Sequence, residues 1–524
     1  MEAPSIISSR GSPTRAGYTR NMAESSLTRP GAGFARIPPH WRLFGFAVSG
    51  LLLVSLWLRF NAPPTPQPVK VTARPSSVAV LPFRNTNPDS SDNYLGYGLG
   101  AELVRMLGRI PGLTMADVTW PPVVAENPVE LGERAGVGSV LEGTVRRAGG
   151  RLRVTAHLVD VGEGFDLWSE IYEASASDLQ QVQGEIVNAM ALTLRLPAEN
   201  STQIRRPTGN PAAYDTYLGG TYLLARGDSR DGFETVSRLI RAVRLDSNFA
   251  LAHAALAEAQ LPEVQQELPP RLTLLTAESA ARRAIQLDST LASPHRVLGE
   301  IRMGYYRDWP GAEREFQRAI ALAPSSLDGY AAYARFLLAM GRADSALAIG
   351  RQAALLNPLS PEAEEQLGWL YLHTRELDQA REVLSRAIRR DSSDWRPHFD
   401  LGLLELSAAN YGRARDHLEN SSRRAPLRLE PHVAWAQLLA LAGQSDSAMI
   451  FMQQFRYPFW KRVPPYLEAT MQAALGQRSK AFASLEQAVA ERSELVPYLR
   501  VDPRLDQLRA DPRFSRLVKR LQLP

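Results

Sequence analysis

Alanine recurs at a fixed interval through the second half of this 524-residue chain. Five alanines are spaced 34 residues apart, and a sixth follows after 33. In most of these units a bulky side chain stands four residues after the alanine, which places both on one helix face. A helix pair cannot bury its apolar faces alone, so such units must stack into a solenoid. The six alanines are Ala312, Ala346, Ala380, Ala414, Ala448 and Ala481.

A second recurring feature is a leucine followed by glycine on the first helix of a unit, at Leu298-Gly299, Leu367-Gly368 and Leu401-Gly402. The glycine allows two helices to cross closely. A 34-residue period with this pattern resembles the tetratricopeptide repeat. The resemblance implies an all-α superhelix of about eight repeats over residues 212–494. Residues 495–524 resemble the capping segment that often follows such arrays.

The resemblance also implies a set of groove positions on the first helices, distinct from the packing positions. Carried over by register, the set mixes both charge signs with two aromatic side chains, which suits a peptide or an extended protein segment. The alternative is that Trp369 and Phe399 simply fill the superhelix. The predicted groove residues are Arg296, Glu300, Arg335, Glu365, Trp369, His373, Arg396, Phe399, Leu403 and Gln437.

Residues 77–197 show the pattern of a small α+β domain. The apolar run Val78–Phe83 predicts a buried strand, and Gly96–Leu107 predicts a helix with one leucine stripe. Two alternating segments joined by Ala148-Gly149-Gly150 predict a hairpin. Leu179–Leu196 predicts a closing amphipathic helix.

Several motifs of this domain resemble the TolB amino-terminal-like domain. They include VAVLPF at 78–83, LEGTV at 141–145 and LWSE at 167–170. In that family the domain is a non-catalytic α/β module, frequently placed between a membrane span and helical repeats. Its relatives often carry a kinase, a cyclase or a DNA-binding domain ahead of it. Only 41 residues precede the predicted span here, so we expect no such effector domain in this chain.

Sixteen consecutive residues without charge, Leu43–Leu58, lie between Arg42 and Arg59. With the flanking residues they approach the ~20 that a helix needs to cross a bilayer. We therefore predict a transmembrane helix over 42–60, after a disordered basic tail (1–41) and before a Pro-rich linker (61–76). A buried core helix and a cleaved signal peptide are the weaker alternatives.

The basic charge of the chain is confined to its N-terminal part. The net charge is +5, yet residues 1–75 alone carry +7, so no basic stripe predicts nucleic-acid binding. Six arginines precede the predicted span and three basic residues follow it. The positive-inside rule then predicts a bacterial inner-membrane protein, with its N-terminus in the cytoplasm and its folded domains outside. Counted only within ~20 residues of each end, the two sides balance.

No residue pattern predicts chemistry. The chain has no cysteine, which excludes disulfides and thiolate metal sites. His253, His295, His398 and His432 fall at the same repeat position, but equivalent positions in stacked repeats lie ~10 Å or more apart, too far to share a metal. P-loop, nucleophile-elbow and kinase signatures are absent from the sequence. We expect no catalytic residue, no cofactor and no metal, and a protein that is not an enzyme.

Together these patterns predict a membrane-anchored scaffold whose groove binds protein or peptide segments in the bacterial envelope. The alternative is the sensor half of a signalling system, related to kinase- or regulator-linked proteins, with its output through the cytoplasmic tail. The sequence does not name the partner, and it leaves a homo-oligomer open.

Overall fold

The computed structural model describes most of the chain after residue 73. The predicted tail (1–41), membrane helix (42–60) and nearly all of the linker (61–76) lie outside the described residues. None of the helices that are described combines the length and the hydropathy needed to span a bilayer. The described residues are 74–87, 90–108, 110, 112–117, 127–196, 206–227, 231–263, 270–455 and 463–523.

A six-stranded sheet forms the first part of the described chain. Its strands are β1 (Arg74–Val80), β2 (Arg84–Asn85), β3 (Thr114–Asp117), β4 (Val137–Ala148), β5 (Arg151–Asp160) and β6 (Asp166–Ser175). The order is β3-β1-β4-β5-β6, with β2 also pairing with β4. The β1 strand is parallel to β3 and β4, whereas β4, β5 and β6 are antiparallel. The hairpin predicted around Ala148–Gly150 is confirmed, with Gly149 and Gly150 at φ +58° and +76°.

Three helices accompany the sheet: α1 (Asn93–Leu107), α2 (Pro128–Ala135) and α3 (Leu179–Thr193). The predicted leucine stripe of α1 is confirmed, because Leu99, Leu103 and Leu107 are fully buried. Together with the strand residue Val78 they belong to one apolar core. We call the sheet and these three helices the sheet domain.

Eight consecutive helix pairs follow the sheet domain, and the six periodic alanines all lie on second helices and are fully buried. Gly402 on a first helix is close to Leu418 on its partner, since a Cβ at Gly402 would lie 2.5 Å from Leu418 Cδ2. The pairs are α4 (Pro211–Arg226) with α5 (Gly232–Leu245), α6 (Ala250–Glu263) with α7 (Pro270–Leu287), α8 (Ser293–Ile301) with α9 (Trp309–Leu322), α10 (Leu327–Ala339) with α11 (Ala343–Leu356), α12 (Pro361–Thr374) with α13 (Leu377–Arg390), α14 (Arg396–Ser407) with α15 (Tyr411–Arg424), α16 (Leu429–Leu441) with α17 (Ser445–Phe455), and α18 (Pro465–Ala474) with α19 (Arg478–Ala490).

The sheet domain packs directly on the first helix pair. Helix α1 crosses α4 closely, since a Cβ at Gly98 would lie 2.8 Å from Leu218 Cδ2. At the edge of this contact, Asp215 Oδ1 accepts hydrogen bonds from Tyr94 Oη at 2.8 Å and from Arg147 Nη2 at 2.6 Å. The apolar cores of the two parts are continuous. The sequence patterns did not predict this contact, because it joins segments about 120 residues apart.

A C-terminal segment follows the last helix pair. It contains two 3-10 turns, Val496–Tyr498 and Pro503–Leu508, and the helix α20 (Pro512–Arg520). Leu505 and Leu508 are fully buried in a core shared with α18 and α19. The segment packs on the end of the array, and it also reaches first helices of several earlier pairs.

Candidate partner-binding groove

The first helices of successive pairs pack side by side and form one continuous face, which we call the groove. The ten residues predicted to line it lie on α8, α10, α12, α14 and α16. They do not share one environment. Part of the groove is covered by the C-terminal segment, part is an open cleft, and four of the ten side chains are buried.

The covered part of the groove centres on Trp369 of α12. Its ring stacks on the imidazole of His373, with centroids 3.9 Å apart, and the Arg335 guanidinium lies 4.8 Å from its centroid. The third partner is Tyr498 of the C-terminal segment, whose ring meets Trp369 edge-on at 5.4 Å. The chain itself therefore occupies the place where Trp369 could contact a partner.

A buried ion pair anchors the C-terminal segment beside this contact. Asp502 accepts hydrogen bonds from Arg504 Nη2 at 2.7 Å and from Tyr466 Oη of α18 at 3.0 Å. Burial would raise the pKa of Asp502, but the Arg504 guanidinium outweighs it and holds that pKa at about 2. Farther along, Arg375 donates to Asp506 at 2.7 Å. These contacts fix the segment against α12 and α18.

His373, Leu403 and Gln437 are three of the four predicted groove residues that are buried, and the fourth is Glu365. His373 Nδ1 bonds to the Trp369 carbonyl oxygen at 2.8 Å, and burial lowers its pKa to about 4. Gln437 Nε2 donates to Thr470 Oγ1 at 2.6 Å. Leu403 belongs to the apolar core of the central repeats. In this structure none of the three is presented to a partner.

The open part of the groove is a cleft of 1290 Å³ that runs from α1 of the sheet domain to the start of α16. Two arginines line it, each surrounded by carboxylates, and we call each of these clusters an arginine centre. Arg296 Nη1 lies 2.8 Å from Glu300 Oε1, and its Nη2 lies 3.2 Å from Glu258 Oε2. The second centre, Arg396, is 3.6 Å from Glu362 Oε1 and is bonded to the carboxylate of Asp394.

Aromatic side chains accompany the second arginine centre. Phe399, one turn after Arg396 on α14, is half-buried, and its ring centroid lies 5.8 Å from that of Trp395. Trp395 itself lines the cleft. The Arg428 guanidinium lies 6.0 Å from the Trp395 centroid. The cleft thus offers a partner charges of both signs beside the Trp395 ring, and Phe399 packs behind that ring against the core of the central repeats.

Below the cleft lies a carboxylate pair, Glu365 of α12 and Asp400 of α14, each 2% exposed. The two side chains are neighbours, so a proton shared between them would avoid two buried negative charges side by side. Burial raises both pKa values, and for Asp400 the neighbouring Glu365 raises it further. Asp400 Oδ2 has no hydrogen-bond partner within the described part of the chain. The sequence analysis identified Glu365 but missed Asp400.

The four histidines at the shared repeat position do not come together. His295 Nδ1 lies 2.8 Å from Glu315 Oε2, whereas His398 contacts His417 of the same pair at 3.4 Å. Burial lowers the pKa of His398 to about 4, so it is neutral at physiological pH. Nowhere in the described ranges do three histidine or carboxylate side chains lie close enough to hold a metal.

Tyr498 and Asp502 are groove residues that the sequence analysis also missed. A sequence feature could have found Asp502, since Asp-Pro-Arg occurs twice, at 502–504 and at 511–513. In both copies the aspartate accepts a hydrogen bond from the backbone N–H of the arginine two residues on, at 2.9 Å. The motif begins a helical turn, and its aspartate forms an ion pair with its own arginine.

Comparison with known families identifies the repeats. Residues 337–398, which include the centre of the groove, match the family model of the tetratricopeptide repeat. This part of the array consists of tetratricopeptide repeats.

Two characterised proteins are similar to parts of this tetratricopeptide chain. "Putative adenylate cyclase 3" of Rhizobium meliloti (strain 1021) is 29% identical over 245 residues, which is 44% of this chain and 40% of the cyclase. "Protein bimA" of Emericella nidulans is 32% identical over 125 residues, which is 23% of this chain and 15% of that protein. The chain thus spans well under half the length of either relative.

Solved tetratricopeptide structures are also similar to it. The Cut9–Hcn1 hetero-tetramer of the APC/C has a TM-score of 0.40 at 13% identity, covering 66% of this chain and 60% of that one. The type IV pilus biogenesis factor PilW has a TM-score of 0.33 at 17% identity, covering 40% and 93%. PilF of Pseudomonas aeruginosa has a TM-score of 0.30 at 20% identity, covering 42% and 95%.

Proposed function

We propose that this chain is a scaffold, without chemistry of its own, which holds an extended segment of a partner protein in the open part of its tetratricopeptide groove. The proposal rests on one observation: the groove is divided into a part that the chain itself covers and a part that is open. The C-terminal segment fills the face around Trp369, whereas the cleft between Arg296 and Arg396 is left open and is lined by charged and aromatic side chains. Such a lining suits an extended polypeptide better than a small apolar ligand.

Variants of the open cleft test this proposal. We expect Trp395→Ala and Arg396→Ala, at two residues that line the cleft, each to weaken partner binding by about 2 kcal/mol, roughly thirtyfold, since aromatic and arginine anchors dominate such interfaces. The measurement is quantitative recovery of partner proteins with the full chain, followed by mass spectrometry. Leu355→Ala is the matched control, because Leu355 is 81% exposed on the second helix α11 and does not line the cleft.

The outcome is read together with the thermal melting of each variant. Lost recovery with an unchanged melting temperature supports a binding groove. Unchanged recovery contradicts it. A large drop in melting temperature for Trp395→Ala would instead assign that residue to packing within the superhelix.

We further propose that the sheet domain is a TolB amino-terminal-like domain. The support is the order of its motifs: VAVLPF spans the end of β1, LEGTV lies in β4 and LWSE lies in β6. In this proposal the domain is a non-catalytic module. Its direct packing on α4 would give the array a rigid base.

The scaffold is proposed to be anchored in the bacterial inner membrane through residues 42–60, with the N-terminus in the cytoplasm. The support is the uncharged run Leu43–Leu58 and the arginines that precede it. We expect protease added to intact spheroplasts to digest the repeats, since they would lie outside the cytoplasm. Protection until the membrane is lysed would reverse the orientation and make the scaffold a cytoplasmic one.

The second candidate is the sensor half of a signalling system, favoured by the similarity to a putative adenylate cyclase. In that case the output would pass through the tail, residues 1–41. Deleting the tail while keeping residues 42–60 separates the two proposals. A scaffold keeps its partners after the deletion, whereas a sensor loses its output.

A further inference from the structure

A second cavity lies where α1 and α3 of the sheet domain meet the chain that enters the array, and it adjoins the open cleft at Arg105, which lines both. Its volume is 230 Å³. Helix α1 contributes Arg105, helix α3 contributes Gln183 and Gly184, and the segment before α4 contributes Arg206. The proposed groove function does not use this cavity, and the family resemblances assign nothing to it.

One wall of the cavity carries a hydrogen-bond donor that the protein does not satisfy. Gln183 is 2% exposed, and its Oε1 accepts a hydrogen bond from Tyr214 Oη at 2.7 Å. Its Nε2 has no hydrogen-bond partner among the residues that the structure describes. A buried donor without a partner costs free energy, which a ligand with an acceptor oxygen would recover.

The charge of the wall favours an anion. Arg105 and Arg206 contribute two guanidinium groups, and Glu185 contributes the one carboxylate of the described lining. Glu185 accepts a hydrogen bond from Gln181. Arg105 is held in place by Glu102, whose Oε2 lies 2.7 Å from the arginine. Guanidinium groups bind carboxylate and phosphate oxygens through paired hydrogen bonds.

The lack of a side chain at Gly184 leaves space for the cavity. It lies within helix α3, where alanine would be the better helix former, and a Cβ there would meet nothing within 4 Å. The absent side chain opens the space beside Gln183. A longer side chain at this position would extend into free space without a clash.

We propose that this cavity binds a small anionic molecule, whose carboxylate or phosphate oxygens accept hydrogen bonds from Gln183, Arg105 and Arg206. Glu102 connects the cavity to the array. It is paired with Arg105 in the cavity wall, and its Oε1 accepts a hydrogen bond from Tyr217 Oη of α4 at 3.0 Å. The site therefore lies at the junction between the sheet domain and the repeats.

Calorimetric titration of the purified full chain tests the proposal, at constant ionic strength so that general screening does not change. The probes are succinate and inorganic phosphate, with succinamide as the uncharged counterpart of succinate. We expect saturable binding of one of the two anions and none of succinamide. Gly184→Met, which fills the cavity, should weaken that binding by about tenfold or more, as expected for losing a charge-assisted hydrogen bond.

Gly412→Met is the matched control, since Gly412 lies on helix α15 with nothing within 4 Å of a Cβ and does not line the cavity. Arg206→Gln is a second variant, at an exposed position, for the case that Gly184→Met does not fold. Binding that is lost in the cavity variants and kept in Gly412→Met supports the site, and the anion that binds identifies carboxylate or phosphate as the group recognised. The proposal is overturned if neither anion binds, if succinamide binds equally, or if the variants leave binding unchanged.

Discussion

Asp502→Ala is expected to destabilise the C-terminal half of the array by about 3–5 kcal/mol, because it leaves a buried arginine without its partner. Arg504 is mostly buried and donates to both carboxylate oxygens of Asp502. The variant also leaves the Tyr466 hydroxyl without its acceptor inside a fully buried contact. Urea unfolding followed by circular dichroism measures the loss, and the transition is fitted as a multi-step process since the chain is long.

The second Asp-Pro-Arg copy supplies the control for this prediction. Asp511 makes the same bidentate contact with Arg513 at 2.8 Å, but this pair is less buried: the Asp511 side chain is 15% exposed, against 3% for Asp502. Asp511→Ala should therefore cost far less than Asp502→Ala. Equal losses in the two variants would show that the motif acts only as a local turn and that burial against α18 contributes nothing.

The contribution of Asp502 to the stability of the fold should depend on pH in a defined direction. Its folded pKa of about 2 lies below the ordinary value of 3.8, so its contribution to stability is present above pH 3.8. That contribution is lost as the pH falls from 3.8 towards 2. The Asp502→Ala variant should accordingly differ most from the wild type near neutral pH and converge on it in acid.

Asp400→Asn is the change expected to stabilise the protein, by about 1–3 kcal/mol at neutral pH, the cost of a buried group left unsatisfied. The amide has nearly the same shape as the carboxyl and can donate to Glu365 without a shared proton. Because burial raises the folded pKa of Asp400 and Glu365, their stabilising effect is present at low pH and is lost as the pH rises through those values. Burial also raises the pKa of nearby Glu362 to about 7.

The measurement is the free energy of unfolding between pH 5 and pH 9. The wild type should lose stability towards alkaline pH, and Asp400→Asn should lose less. Glu405→Gln on the same helix is the contrasting control. Its carboxylate is paired with Arg381 at 2.8 Å and Asn410 at 2.7 Å, so removing the charge should destabilise the protein. A destabilised Asp400→Asn variant would contradict the shared proton.

The parts of the fold that the sequence predicted are those set by local patterns. The alanine period identifies the second helices because each alanine occupies the same close contact within its own pair. The leucine stripe of α1 and the glycine turn between β4 and β5 are likewise fixed by neighbours in the chain. These features depend on few residues and short separations.

The parts that the sequence did not predict depend on distant contacts. Repeat register places Trp369 and Gln437 on the groove, but it carries no information about Tyr498, 129 residues beyond Trp369, or about Thr470 on a later pair. Asp400 was missed because a carboxylate on a groove helix is usually solvated, and its burial beside Glu365 depends on how α12 and α14 approach. The cavity beside Gly184 likewise arises where three separate segments meet.

The most direct test of the groove is photo-crosslinking in living cells, with benzoylphenylalanine in place of Trp395 in the open cleft or in place of Leu355 on α11. We expect position 395 to form an adduct with one extended segment of a partner protein, identified by mass spectrometry of the linked peptide, and position 355 to form none. Adducts of equal yield at both positions, or none at 395, would contradict a scaffold that holds its partner in this groove.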